Sequence, residues 1–205
     1  MADIETKIIT TLFNLFKQTK SIKRVVKGEN LKRAGFKEAL NWLQSETPWI
    51  SITPDLMLFY EDYSVRTDEP IIVAIETKYL KTETKGKWRE VFRQIGQPLR
   101  NLIFGFNSVV LWHLFAAGID DEKIKKFTDI CEEVITKLNL PIVYLATKIT
   151  NDELRIYKPW DIKSQNIDYI ASSIKEMCSK KINPLLYDQE VIKRRRAIKT
   201  ALNIP

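Results

Sequence analysis

The sequence predicts a mixed α/β fold, a central sheet flanked by helices. Three observations carry that expectation. Segments with apolar residues at three- and four-residue spacing alternate with β-branched and aromatic runs, in the order helix, strands, helix, strand, helix, strand. The chain is 44% hydrophobic with six Gly and eight Pro, which supplies a core and excludes low-complexity or collagen-like classes. Its 205 residues fit a single domain, 1–205, with additions at both ends, at roughly 100 to 200 residues per domain.

Ile4, Ile8, Leu12, Leu15 and Phe16 mark an amphipathic helix over 3–18, with Asp3 placed to cap it. Residues 17–33 carry seven basic side chains against the single acid Glu29 and read as a basic connector. A second helix shows Phe36, Ala39, Leu40 and Leu43 on one stripe. It stops ahead of Pro48, because proline disfavours the helical conformation in the residue before it. Runs 49–52, 55–60 and 71–80 then read as a meander of strands. A helix over 87–104, a strand over 108–115 and a helix over 121–139 follow. Strands at 141–147 and 153–157 and helices at 165–180 and 189–202 close the chain.

The formal charge is +7, from 33 Lys and Arg against 26 Asp and Glu, which leans towards a polyanionic partner. Cys131 and Cys178 are far apart and lack metal-binding spacing, so they are expected as core fillers in a reducing compartment. His113 is the one histidine and sits in an apolar strand, which leaves little material for a Ser/His/Asp hydrolase and suits a packed side chain. The start of the chain lacks the basic region and cleavage site of a signal peptide, and no apolar run approaches a membrane span. A cytoplasmic protein is expected, in the host cytoplasm if the chain is virus-encoded.

The chemistry concentrates in two strands. Pro54-Asp55 opens one, and Glu76-Thr77-Lys78 lies in the next, twenty-one positions on, a spacing that permits a hairpin. Side chains alternate along a strand, so Glu76 and Lys78 share a face, roughly 7 Å apart. A charge pair among Ile71, Ile72, Val73, Ala74 and Ile75 demands compensation, because buried charge is costly unless paired or bound to a metal. Two carboxylates converging from adjacent strands supply the hard oxygen ligands that Mg²⁺ prefers, with room left for water and a phosphate oxygen. The adjacent lysine can orient or deprotonate a nearby water and offset charge on the phosphate.

These motifs resemble the PD-(D/E)xK nuclease superfamily, whose core runs helix, three strands, helix, strand. The resemblance covers about residues 29–115 and is nearest to its archaeal branch, which includes Holliday junction resolvases and nucleases of spindle-shaped archaeal viruses. It implies a restriction-endonuclease-like core, with the helices at 3–18 and 165–202 as additions. It also implies a DNA endonuclease dependent on Mg²⁺ or Mn²⁺, with Asp55 and Glu76 binding the metal and Lys78 serving the attacking water. Gln97 resembles the glutamine that many members carry on the following helix. The family often adds a glutamate from its first helix; Glu29 falls on the stripe of Phe36, Leu40 and Leu43, whereas Glu38 falls on the opposite face.

Lys81, Lys85, Lys87, Arg89 and Arg93 follow the proposed active strand directly and are expected to contact DNA phosphates. Trp88 lies among them as a candidate for stacking on a base. The block Lys193-Arg194-Arg195-Arg196 suits a phosphate contact or a solvated helix face equally. Two-fold DNA symmetry favours a homodimer; Leu12 and Phe16 are candidate interface positions, and burial against their own domain accounts for them equally. Nothing resembles a base-reading module, so structure-selective binding is expected. The alternatives are an inactive nucleic-acid-binding protein on the same fold and a sequence-specific restriction-type enzyme.

Overall fold

Long apolar runs form the middle of the sheet, and amphipathic helices cover it. The computed structural model describes residues 4–29, 53–61, 70–81, 88–150, 153–159 and 166–204. In chain order the elements are α1 (Ile4–Lys17), β1 (Arg24–Lys27), β2 (Leu56–Tyr60), β3 (Ile71–Leu80), α2 (Trp88–Ile103) and β4 (Ser108–Phe115). They continue with α3 (Asp121–Lys137), β5 (Ile142–Thr150), β6 (Glu153–Lys158), α4 (Ile167–Lys180) and α5 (Gln189–Ala201).

The six strands lie side by side in sequence order. β1, β2 and β3 form an antiparallel meander, β3, β4 and β5 run parallel, and β6 turns back antiparallel with a register shift at Ala146/Thr147. Each parallel step needs a crossover, and α2 and α3 supply the two. One face of the sheet packs Ile72, Ala74, Val109, Leu111 and Ile142 under α2, α3 and α5. The other packs Val73, Ile75, Val110, Trp112 and Val143 under α1 and α4. β3 and β4 are thus covered on both sides, which is why their sequences read as nearly unbroken apolar runs. Asp120, Asn166 and Asp188 cap α3, α4 and α5 through side-chain oxygens that accept backbone N–H groups.

Three readings are revised or decided. The basic connector contains strand β1, whose Arg24 to Lys27 pair with Phe59 to Leu56 and form one edge of the sheet. Leu12 and Phe16 are buried against the chain's own sheet, with the Phe16 ring 6.0 Å from Trp112, so they do not present a dimer surface. The C-terminal basic block is partly structural. Arg195 Nη1 donates to Gly105 O at 2.8 Å and Asn107 Oδ1 at 2.7 Å, and Arg194 Nη1 donates to Ile103 O, so α5 brackets the turn that ends α2. The helix around Phe36, the strand over 49–52, Glu38, Lys85 and Lys87 lie outside the described residues, as do the side chains of Trp88 and Arg89.

α2 runs unbroken through Pro98, which removes the hydrogen bond its position would otherwise make to the Gln94 carbonyl. Both cysteines are buried and unbridged. Among the described residues no helix is long and apolar enough to cross a membrane.

Candidate active site

β2 and β3 bring two of the predicted carboxylates together. Leu56 is the register partner of Ile75, so Asp55, the residue before β2, falls beside Glu76. Asp55 closes this end of the ladder in an unusual way. Its own N–H donates to Ile75 O at 3.1 Å, and its Oδ2 accepts both the backbone N–H of Thr77 at 2.6 Å and the Thr77 hydroxyl at 2.7 Å. Two donors from one residue hold the carboxylate in a single orientation.

Glu76 points to the α2 side of the sheet, the face of Ile72, Ala74 and Leu80, and is almost fully buried. The Asn101 side-chain amide donates to its Oε1 at 2.8 Å, and Arg100 Nη2 lies 3.6 Å from the same oxygen. Burial pushes the Glu76 carboxyl up to about 7, and the neighbouring Asp55 charge pushes the same way. The Asn101 hydrogen bond and the charges of Lys78 and Arg100 oppose both without cancelling them. Near neutral pH Glu76 is therefore only partly ionised.

Lys78 follows on the same face as Glu76, half-buried, opposite His113 in the parallel register with β4. His113 is the packed strand histidine the sequence suggests. Its Nδ1 lies 2.8 Å from the Tyr144 hydroxyl, its ring meets Phe127 and Phe115, and burial followed by the Lys78 charge pulls its pKa down to about 3. The imidazole is neutral across the physiological range.

Asp55 also opens onto a cavity of about 190 Å³ between α1 and the β1–β2 edge, with Thr6, Thr10, Lys27 and Glu29 among its lining. Glu29 is exposed there, so the structure places it beside Asp55, on a solvated wall. Gly28 makes that approach possible. A Cβ at this position would stand 2.0 Å from the Pro54 carbonyl oxygen, and its N–H donates to Asp55 O at 3.2 Å.

Gln97 is half-exposed on α2 and makes no hydrogen bond to either carboxylate among the described residues; the helix reaches Glu76 one turn later, through Arg100 and Asn101. Sequence reasoning passed over Thr77, Arg100 and Asn101. The i to i+4 step from Gln97 to Asn101 is the one signal that could have pointed to the last of them. Lys81 and Arg93 are exposed, as phosphate contacts require.

Among the described residues no three His, Cys, Asp or Glu side chains converge on one point as a metal site. The pair Asp55 and Glu76 nonetheless suits one hard, largely hydrated divalent cation. Each carboxylate spends a single oxygen on the hydrogen bonds described, Oδ2 and Oε1, and leaves the other, and the pair carries a mutual repulsion that a cation would relieve. Searches against protein families, curated proteins and solved structures return no match to this chain.

Proposed function

We propose that the chain is a metal-dependent deoxyribonuclease with a restriction-endonuclease-like core, of the PD-(D/E)xK type. The observation that carries the reading is the placement of Glu76. It is a buried carboxylate with a raised pKa, beside a second, immobilised carboxylate, with Lys78 next along its face. A protein interior tolerates such a pair where a function uses it, since an apolar replacement would be at least as stable.

Mg²⁺ or Mn²⁺, when bound, would polarise a phosphoryl oxygen and acidify a water. Asp55 and Glu76 would hold the ion, Thr77 and Asn101 would keep the two carboxylates aimed, and Lys78 would hydrogen-bond the attacking water and offset charge growing on the phosphoryl group. Arg100 tempers the Glu76 charge from the helix side. Lys81 and Arg93, with Lys85, Lys87 and Arg89, would supply phosphate contacts next to this strand. A homodimer would place two such sites on the two strands of a duplex.

The test is cleavage of DNA with Mg²⁺ or Mn²⁺ by wild type and Lys78→Ala. The variant is expected to bind DNA nearly as well and to cut at least 100-fold more slowly, a loss typical of removing one electrostatic stabiliser of a transition state. Undiminished cutting by Lys78→Ala, or by wild type in excess chelator, overturns the proposal. DNA binding without cutting in any divalent metal would favour a binding module on the same fold.

A further inference from the structure

His113 stands in the middle of the sheet with only one of its ring nitrogens used. It is wholly buried on β4, and Phe115, Phe127 and Tyr144 pack around the imidazole. Nδ1 faces the Tyr144 hydroxyl at 2.8 Å, with Cys131 Sγ 4.0 Å from the same nitrogen. Nε2 has no hydrogen-bond partner among the described residues. A buried polar atom left unpaired costs stability, so an apolar ring would fill this space better, and the imidazole calls for another explanation.

The strand order supplies one. Nδ1 is directed towards Tyr144 on β5, which turns the opposite corner of the ring, Nε2, towards β3. There Lys78 is the register partner of His113 on the same face, and its charge is the one that bears on the imidazole. Adjacent strands lie about 4.8 Å apart, within reach of a lysine's four-carbon stem. The same charge selects the tautomer, because an N–H aimed at an ammonium is repelled and a lone pair is attracted. The proton then sits on Nδ1 and is donated to the Tyr144 oxygen, while the Tyr144 hydroxyl, hydrogen-bonded to Cys131, gives its own proton to the sulfur. We infer that His113 is a positioning residue for Lys78: its Nε2 lone pair takes one N–H of the ammonium and leaves the other two for the attacking water and the phosphoryl oxygen. Donor and acceptor stand unjoined in this structure, and the bond closes when the flexible Lys78 stem turns its ammonium inwards. The inference deepens the nuclease reading and rests on it.

The experiment has a spectroscopic arm and a kinetic one. His113 is the only histidine of the chain, so a long-range proton–nitrogen correlation spectrum of the untagged protein shows its two ring nitrogens alone. Nδ1 is expected to be protonated and Nε2 bare, with the Nε2 resonance displaced downfield in Lys78→Met, as for a lone pair that has lost its donor. For the kinetic arm, glutamine places an amide oxygen near the position of Nε2, and asparagine replaces only Nδ1. At saturating DNA and Mg²⁺, His113→Gln should cut within about threefold of wild type, and His113→Asn should lose about 10- to 100-fold in kcat, the scale of a misplaced reacting group. KM and Mn²⁺ affinity should stay unchanged in both, since among the described residues His113 bonds neither Asp55 nor Glu76. A merely structural histidine predicts the reverse order, because asparagine keeps a partner for Tyr144 and glutamine does not.

A proton on Nε2 overturns the inference. So does an Nε2 resonance identical in wild type and Lys78→Met, which would assign that nitrogen to a buried water. Faster cutting by His113→Asn than by His113→Gln overturns it as well. In each of these cases a wild type that cuts DNA with Mg²⁺ leaves the nuclease reading standing. A displaced resonance in a protein that cuts no DNA in any divalent metal retains the hydrogen bond and sinks the nuclease, and the positioning role falls with it. If thermal melts show that neither His113 variant folds, the spectra of wild type and Lys78→Met decide alone.

Discussion

Asn101 ties α2 to the centre of the sheet by donating its side-chain amide to Glu76 Oε1 at 2.8 Å, both groups being withdrawn from solvent. A buried carboxylate with one good donor is held in place without being fully compensated, and its raised pKa records the shortfall. The arrangement holds Glu76 at a cost in stability that a bound cation would offset.

Replacing Asn101 tests that linkage. Asn101→Leu keeps the volume and removes the donor, so Glu76 loses its orientation while the helix keeps its packing. Metal affinity and cleavage are expected to fall about 10- to 100-fold, as for other residues that orient metal-holding side chains. Calorimetric titration of Mn²⁺ beside a cleavage assay checks this; wild-type values in both would show that Glu76 does not depend on Asn101.

Two buried groups should give stability opposite pH dependences. Glu76 has its folded pKa raised from 4.5 to about 7, so its contribution is fully present below about 4.5 and is lost as pH rises through 7; the displacement corresponds to about 3 kcal/mol. His113 has its folded pKa lowered from 6.5 to about 3, so its contribution is present above 6.5 and is lost as pH falls towards 3, by about 5 kcal/mol. Between pH 4.5 and 6.5 the two slopes oppose each other. Denaturant unfolding in chelator should show Glu76→Gln gaining stability steadily from pH 3 to 6.5 and exceeding wild type at pH 8. His113→Phe should instead lose stability from pH 4.5 to 7. Parallel pH profiles for wild type and both variants would contradict the assignment.

Two glycines should respond in opposite directions. Gly28→Ala drives a methyl group to 2.0 Å from a backbone oxygen, so either β1 or the Pro54-Asp55 segment must move, at a cost of about 1–3 kcal/mol and with loss of cleavage. Gly96→Ala, at an exposed position in α2 with open space around it, should stabilise by about 0.5–1 kcal/mol and leave cleavage alone. Thermal melts of both proteins decide the matter.

Substrate choice should follow phosphates and DNA shape. A panel of four-way junction, flap, single strand and linear duplex, cut with Mg²⁺ or Mn²⁺ at two salt concentrations, is expected to show weak sequence dependence and steep inhibition by salt. Discrete bands at one short sequence in every duplex, persisting at high salt, would point to a restriction-type enzyme.

Much of the sheet was legible because its middle strands are buried on both faces. Ile71–Leu80 and Ser108–Phe115 stand out as predominantly apolar runs, broken by Glu76-Thr77-Lys78 in the first and His113 in the second, and both strands occupy the residues expected of them. β1 was not legible. Its four residues hold only two apolar side chains, Val25 and Val26, flanked by Arg24 and Lys27 in a strongly basic stretch, and an edge strand of this length needs to send only Val26 into the main core. In the same way, alternation along a strand put Glu76 and Lys78 on one face, and the β2–β3 register put Asp55 beside Glu76. Asn101 and Thr77 were missed because each meets its carboxylate through a side-chain contact whose partner lies on another element, and no local period encodes such a contact. The apolar stripe of α1 was visible, but periodicity does not say what covers it; Trp112 does.

At four residues, β1 is the shortest strand of the sheet and lies on its rim, next to the strand that Asp55 precedes. Peeling it away breaks a handful of backbone hydrogen bonds and uncovers little core, whereas exposing β3 requires dismantling both layers of helices. Amide hydrogen exchange should accordingly divide the candidate site in two. The Gly28 amide, bonded to Asp55 O, would exchange through a shallow, sub-global opening, and the amide of Glu76 only through global unfolding. Asp55 is itself bonded to Ile75 and Thr77 of β3, so opening of the β1 edge would bare this carboxylate to solvent without releasing it, while Glu76 stays enclosed.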